Sequence, residues 1–267
     1  TGAEVYMRRR LFELVEGRLF YRYEDVKLDG YDLNDASFPS FIRTQLENDG
    51  DHTKVSKVGL VLTRDSRDSL LFPTEGSRVQ ISQEFAGGPF GGNSDYGKLE
   101  LRGAKFIKTS ETMEQVLSVI GRVGTISEFE GGDVPFFDQF FLGGPYTLRG
   151  FDYREVGPID QVTREPRGGH SYGFLSVEYT FRVAEPLRLA VFYDGGFVNT
   201  GDFNFDPRRN RDLYDAPGYF DNWGVGLRIM VMGAPMRLDL GFPISDPTGV
   251  IMKRKSTQFN FSFGTRF

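Results

Sequence analysis

The sequence has no cysteine and only two histidines. The first absence removes disulfide frameworks, zinc–thiolate sites and cysteine nucleophiles together. The second leaves little for a multi-histidine metal centre, so no metal and no cofactor is expected. An excess of positive charge is missing too. Lys+Arg 32 against Asp+Glu 37 gives a formal net charge of −5, which argues against a nucleic-acid partner because no basic stripe is available to displace counterions. No apolar run approaches the ~20 residues of a membrane-spanning helix; Leu189 to Tyr193 is among the longest. The opening Thr1-Gly2-Ala3-Glu4 carries neither the basic head nor the apolar core of a signal peptide, so either a signal was removed or the sequence starts inside a larger protein.

What the sequence has in plenty is glycine and aromatics, with Gly 33, Phe 26 and Tyr 12, arranged with a period of two. Phe259, Phe261, Phe263 and Phe267 alternate with Gln258, Asn260, Ser262, Gly264 and Arg266. Leu189, Val191 and Tyr193 alternate with Arg188, Ala190, Phe192 and Asp194. Leu175, Val177, Tyr179 and Phe181 alternate with Ser176, Glu178, Thr180 and Arg182. The same holds for Val225, Leu227, Ile229 and Val231, and for Leu238, Leu240 and Phe242 against Arg237, Asp239 and Gly241. Successive strand side chains point to opposite faces, so each segment has one apolar and one polar face. A soluble sandwich would bury the apolar face in a core; a transmembrane barrel would turn it to lipid around a polar interior. The apolar positions are large and aromatic and the opposite ones small, polar or charged. The segments run ~9–12 residues, which suits a tilted membrane crossing better than a globular sheet.

The connections choose between the two. About eleven strands are expected, near 3–14, 18–27, 54–65, 77–86, 96–107, 113–127, 171–183, 187–198, 219–232, 235–243 and 257–266. Short links (Val15-Glu16-Gly17, Asp65–Gly76, Lys108–Thr112, Ala184-Glu185-Pro186, Gly233-Ala234) alternate strictly with long ones at 28–53, 87–95, 128–170, 199–218 and 244–256. Tight periplasmic turns at one rim and long external loops at the other mark an outer-membrane barrel. With Gly233-Ala234 as a periplasmic turn, Phe267 ends at the periplasmic rim and, ten reversals back, Thr1 lies at the external rim. Bacterial barrels have even strand numbers, so an odd number of N-terminal strands is expected to be missing.

Five ordered stretches resemble the C-terminal barrel of the BamA outer-membrane protein insertase family, with the first ~50 residues matching weakly. They are Thr63–Asp68 with Phe72–Arg78; Phe141-Leu142-Gly143-Gly144-Pro145-Tyr146-Thr147-Leu148-Arg149-Gly150-Phe151, which carries the family's Arg-Gly-Phe motif of the sixth external loop; Phe192-Tyr193-Asp194-Gly195-Gly196; Gly233–Asp239; and the strand ending in Phe267. The resemblance implies an all-β, antiparallel transmembrane barrel of sixteen strands, of which residues 1–267 supply the C-terminal eleven, with periplasmic POTRA domains upstream. It implies a non-enzymatic factor of the bacterial outer membrane, C-terminus periplasmic, that folds and inserts nascent β-barrel proteins with accessory subunits. A secretion pore or autotransporter-assembly barrel of the same superfamily is the alternative, and a porin a more distant one.

Within that frame a physical expectation attaches to Arg149. A loop longer than ~12–15 residues is usually functional or disordered, and the aromatic, glycine-rich stretch from Val134 to Phe151 suits a packed, inserted loop. A guanidinium carried into a lumen needs carboxylate partners. Asp194 first and Glu178 second, lumen-facing on the two following strands, are expected to hold Arg149, with Gly150 and Phe151 beside it. On the last strand Phe259, Phe261, Phe263 and Phe267 anchor in lipid. The resemblance adds that this strand forms a weak seam, with Gly264 at the family's kink position, where an opened edge templates strand addition. His170-Ser171 is discounted as a hydrolase pair because neighbours on a strand point apart. Asp202, Asp206, Asp212 and Asp215 lack EF-hand spacing and sit with Arg208, Arg209 and Arg211, which reads as a solvated loop. Phe38–Asn48 is expected to form a short helix capped by Ser37 or Ser40.

Overall fold

A computed structural model describes residues 1–30, 32, 38–110, 114–129, 132–184, 187–208, 212–231, 233–249, 251 and 256–266. Eleven strands form one antiparallel sheet in chain order: β1 (Gly2–Phe12), β2 (Val15–Lys27), β3 (His52–Asp65), β4 (Gly76–Ala86), β5 (Tyr96–Ser110), β6 (Gln115–Glu128), β7 (Ser171–Ala184), β8 (Leu187–Asn199), β9 (Phe220–Val231), β10 (Ala234–Ser245) and β11 (Gln258–Phe263). All but β11 run 11 to 15 residues, longer than the sequence reading and ample for a tilted crossing.

The alternation decides which face is which. Phe259, Leu240, Val225 and Val191 stand opposite one another on β11, β10, β9 and β8 and all point outward, exposed. Leu19, Leu60, Ile81, Leu101 and Leu175 continue that belt. The concave side is closed and mixed: Ser176, Asp194 and Asn222 form a registered row on β7, β8 and β9, each 0% exposed, while Phe106, Ile120 and Phe174 share the inward parity and are buried in one cluster with Leu148 and Phe151 of the inserted loop. Phe261 at 51% exposure against Asp194 at 0% and Arg228 at 4% sets large apolar side chains outside and charged ones inside, which a soluble sheet does not do, although the inserted loop also brings an apolar cluster into the interior.

Two local expectations are corrected. The first reversal falls at Glu13-Leu14, and Val15-Glu16-Gly17 belong to β2. Leu14 takes the left-handed conformation (φ 61°), whereas Gly17 is a site of close approach, where an added Cβ would lie 3.0 Å from the Leu11 side chain. The helix forms as α1 (Ser40–Asp49), but its N-cap is Pro39 with no side-chain cap bond. Ser40 turns its hydroxyl to Asp160 instead, and Ser37 lies outside the described residues.

The loops on the long-connection side pack on one another and over the lumen. Helix α1 buries Gln45 and Leu46; the Phe136 amide donates to Gln45 Oε1 at 3.0 Å, and Asn48 donates to Asp133 at 2.8 Å. On the opposite rim the 66–75 turn folds under the lumen, with Arg188 stacked 5.4 Å from the Phe72 ring. Asp68 braces that turn by accepting from the Thr74 amide at 2.9 Å and its hydroxyl at 2.6 Å.

Candidate functional site

Residues 143–151 form a compact tip. Gly143 and Gly144 adopt φ 109° and 92°, which lets the Gly144 amide reach the Leu148 and Phe151 carbonyls at 3.2 and 3.0 Å. The turn thrusts Arg149 into the lumen, where it is 0% exposed. Its Nε donates to Asp194 Oδ2 at 2.8 Å, Nη2 to Asp194 Oδ1 at 2.8 Å, and its backbone N–H to Oδ2 at 3.2 Å. Nη1 donates to Glu178. The bidentate fork to Asp194 is the geometry in which a guanidinium and a carboxylate bind most strongly. The structure thus brings Arg149, Asp194 and Glu178 together.

Sequence reasoning missed the rest of the network. Asp194 is pre-set by its strand neighbours: Ser176 donates to Oδ1 at 2.6 Å and Asn222 to Oδ2 at 3.2 Å. Phe192, two residues back on the same face of β8, lies flat beneath the guanidinium, 3.4 Å from carbon to ring centroid. Arg228 pairs with Glu178 at 2.8 Å and with Asp239 at 2.7 Å. Arg237 stands 3.5 Å from Glu178 and 3.6 Å from Asp239, and Arg266 stands 3.7 Å from Asp194. Four guanidiniums therefore surround three carboxylates. Inward parity on β9 and β10 was the available signal for Arg228, Arg237 and Asp239; the mutual register that makes them one network was not readable. A buried ionic cluster of this kind is not a net source of stability over apolar packing, but removing one member leaves uncompensated charge. It fixes where the loop tip sits.

Backbone approach fixes it further. Gly241 of β10 lies so near the tip that an added Cβ would be 2.4 Å from the Arg149 carbonyl oxygen, and one on Gly150 would be 2.5 Å from the Asn222 Cβ. Phe151, fully buried, meets Phe220 edge-on at 5.9 Å. The tip also touches the last strand: Asn260 of β11 donates to the Arg149 carbonyl at 2.7 Å, and the Tyr146 hydroxyl donates to the Phe263 carbonyl at 3.3 Å.

Nearer the loop rim the same loop is held a second time. Lys57 of β3 donates to both Asp138 carboxylate oxygens at 3.0 and 3.1 Å, the Tyr96 hydroxyl of β5 donates to Oδ2 at 2.6 Å, and Lys98 donates to the Asp138 carbonyl at 2.6 Å. Burial pushes the Asp138 carboxyl up, but the ammonium groups of Lys57 and Lys98 and the Tyr96 hydrogen bond outweigh it and hold it below the ordinary carboxylate value.

On β11, Phe259, Phe261 and Phe263 point outward and exposed, and Phe267 lies outside the described residues. Gly264 is not within the strand: the ladder stops at Phe263, and Gly264 follows in the left-handed region (φ 88°), its amide bonded to the Pro235 carbonyl at 2.8 Å. His170 and Ser171 are not brought together. Ser171 donates to the Gly201 and Asn204 carbonyls at 2.7 and 2.8 Å, while His170 faces Asp202 at 3.0 Å.

Comparison with known proteins gives a concordant picture. The outer membrane protein assembly factor BamA of Nitratidesulfovibrio vulgaris is 29% identical over 246 residues, which is 90% of this chain and 29% of that protein. A SAM50-like protein of Schizosaccharomyces pombe is 33% identical over 216 residues, 79% of this chain and 44% of that protein. The chain thus spans less than half the length of these two relatives. Among solved structures, BamA from Haemophilus ducreyi lacking POTRA domains 1–3 superposes with a TM-score of 0.79 over 98% of this chain and 53% of that one, at 18% identity, a likeness of fold. The family model of the Omp85 superfamily domain matches residues 1–267, and the chain belongs to that superfamily.

Proposed function

We propose that the chain is the C-terminal part of the membrane barrel of a bacterial outer-membrane assembly factor, which folds and inserts nascent β-barrel proteins by strand addition at a lateral seam. The observation that carries this reading is the shortness of β11. Its ladder with β10 covers six residue pairs, Met236↔Phe263 to Gly241↔Gln258, where the other ladders cover nine or more, and it stops at a left-handed glycine. A short ladder opens at low cost, and an opened edge is a template for another chain's backbone. The names of the relatives, assembly factors in bacteria and SAM50-like proteins in eukaryotes, support it.

In this reading the full barrel has sixteen strands, the short-turn rim and the end of β11 face the periplasm, and accessory subunits act through periplasmic domains upstream. Neither cofactor nor catalytic residue is needed. Burying the client's apolar surface in lipid and closing its strand edges supply the free energy. The Arg149-Gly150-Phe151 tip, held by Asp194 and Glu178, is the pin that keeps the loop inside. Because Asn260 and Tyr146 tie the tip to β11, the pin also steadies the seam strand from within while its outer edge exchanges partners.

The test is disulfide trapping in the full-length protein in its own membrane. A cysteine at Phe261 is expected to crosslink to one in the C-terminal strand of a stalled barrel client, and one at Val191, in the middle of the sheet, is not. Equal capture at both positions, or a stable wide-open channel in conductance recordings, would overturn the reading in favour of a passive pore. Capture of an exported passenger in place of a barrel client would favour a secretion relative.

A further inference from the structure

Beside the Arg149 network, and sharing Arg266 with it, a second group of basic side chains lines the lumen wall, most of it in one registered row. Gln80 of β4 stands opposite Arg102 of β5, Arg102 opposite Arg122 of β6, and Arg122 opposite Phe174 of β7. Arg78 sits two residues along β4 on the same face. From the other side Arg266 arrives beyond β11, so that Arg78, Gln80, Arg102, Arg122 and Arg266 line a single cavity. Arg122 and Arg266 approach the same Phe174 ring at 5.6 and 5.7 Å.

Like charges directly opposite in a sheet are destabilising, and here four guanidiniums converge. Among the described residues, the carboxylates within reach are shared or too few to match the four cations. Glu100 pairs with Arg102 at 2.7 Å and also accepts the Tyr172 hydroxyl. Asp65 is 3.9 Å from Arg78 but is held by Arg67 at 2.7 Å. Asp194 is 3.7 Å from Arg266 but carries the Arg149 fork. Arg266 also donates to Ser176 Oγ at 2.8 Å and to the Tyr146 and Thr147 carbonyls at 3.4 and 3.1 Å, Arg78 to Gln80 Oε1 at 3.2 Å and Arg122 to the Arg266 carbonyl at 2.9 Å, neutral contacts that orient the three without neutralising them. Arg266 is 7% exposed, and its Nε, like those of Arg102 and Arg122, has no hydrogen-bond acceptor among the described residues. For Arg266 a buried charged donor left in that state is expensive, whereas the Arg102 side chain is 43% exposed and reaches into the open part of the lumen.

We infer that Arg78, Arg102, Arg122 and Arg266 form a lumenal binding site for a tetrahedral oxyanion of the phosphate class, either inorganic phosphate or the phosphomonoester of a lipid headgroup. Guanidinium forks from two directions, the β4–β6 wall and the segment after β11, match a group with oxygens on several sides; a planar carboxylate is served by one fork. Occupancy would tie the segment after β11 to β5 and β6. The inference stands independently of the assembly reading.

The experiment titrates the full-length folded protein in zwitterionic detergent with inorganic phosphate, ionic strength held constant with chloride. The readouts are the thermal transition of the barrel and the broadening of the phosphorus NMR line. A saturable rise in the transition is expected. Arg102→Gln and Arg122→Gln should each weaken phosphate binding about tenfold or more, the loss of one charge-assisted hydrogen bond, while Arg9→Gln on the exposed part of β1 leaves it unchanged. Mixed vesicles of phosphatidylcholine and phosphatidic acid form the second arm. A shift with phosphatidic acid alone assigns the lipid as source, and a shift with both probes assigns any phosphomonoester. Should Arg122→Gln not fold, Arg122→Lys keeps the charge and loses the fork, and is expected to fold and to bind phosphate more weakly. A phosphate response no larger than that of acetate at equal ionic strength, or undiminished affinity in the variants, would overturn the site.

Discussion

Replacing Arg149 by alanine removes three side-chain hydrogen bonds to Asp194 and Glu178 and the stack on Phe192. Breaking a buried pair by deleting one partner typically costs 3–5 kcal/mol, because the other charge stays buried. Here part of the charge is still met: Ser176 and Asn222 keep donating to Asp194, Arg228 keeps Glu178, and Arg266 lies 3.7 Å from Asp194. The lower end, about 3 kcal/mol, is therefore expected, which at 1.4 kcal/mol per decade raises the undocked population of the loop about 10²-fold. Limited proteolysis within Val134–Phe151 of the full-length protein reads that population directly when opening is fast relative to cleavage. The Arg149→Ala, Asp194→Asn pair supplies the stricter form: the double variant should cost less than the sum of the singles, since it leaves no uncompensated carboxylate at that position. Cleavage of Arg149→Ala within about threefold of wild type, or additivity in the cycle, would refute the claim that this network positions the loop.

Three further outcomes follow from the geometry. Gly241→Ala should release the tip as Arg149→Ala does, because its Cβ would lie 2.4 Å from the Arg149 carbonyl oxygen, whereas Gly103→Ala on β5, with nothing within 4 Å, should be silent in the same assay. Asp138 is held below its ordinary value, so its contribution to loop docking is complete above the unfolded pKa of about 3.9 and is lost as pH falls through the depressed folded one. Cleavage near Asp138 should rise below about pH 4 in the wild type, while Asp138→Asn, loosened already at pH 7, should show little further acid response. Phe261→Arg, on the outward face of β11, should destabilise the inserted protein by about 2–4 kcal/mol in lipid if the position lies near the midplane, read from denaturant unfolding in vesicles, and by far less in loose detergent micelles.

How much of this was legible in the sequence depended on distance along the chain. Alternation needs neighbours two apart, so the eleven strands and their outward faces could be read from Phe259, Val225 and Leu189 onward, to within a few residues at each end. The Arg149 partners were reachable because Glu178 and Asp194 lie on the first two strands after the loop and share the inward parity. The Asp138 anchorage was not reachable: its partner Lys57 is 81 residues away, and the contact depends on the path of an irregular loop. Nor could the Arg102–Arg122 opposition be read, since parity puts both inside but only the register of β5 against β6 puts them face to face. Glycine misled where its use was spatial. Gly17 reads as a turn but makes room for Leu11, while the turn itself is taken by Leu14, a residue that nothing in local propensity assigns to the left-handed region. Phe192 is the mirror case. Its parity placed it on the polar face, where an aromatic looks out of place until a guanidinium is laid over it. On β8 the inward aromatic two residues from the lumenal Asp194 is the platform of a buried arginine, and there the exception to the alternation carries more functional information than the alternation does.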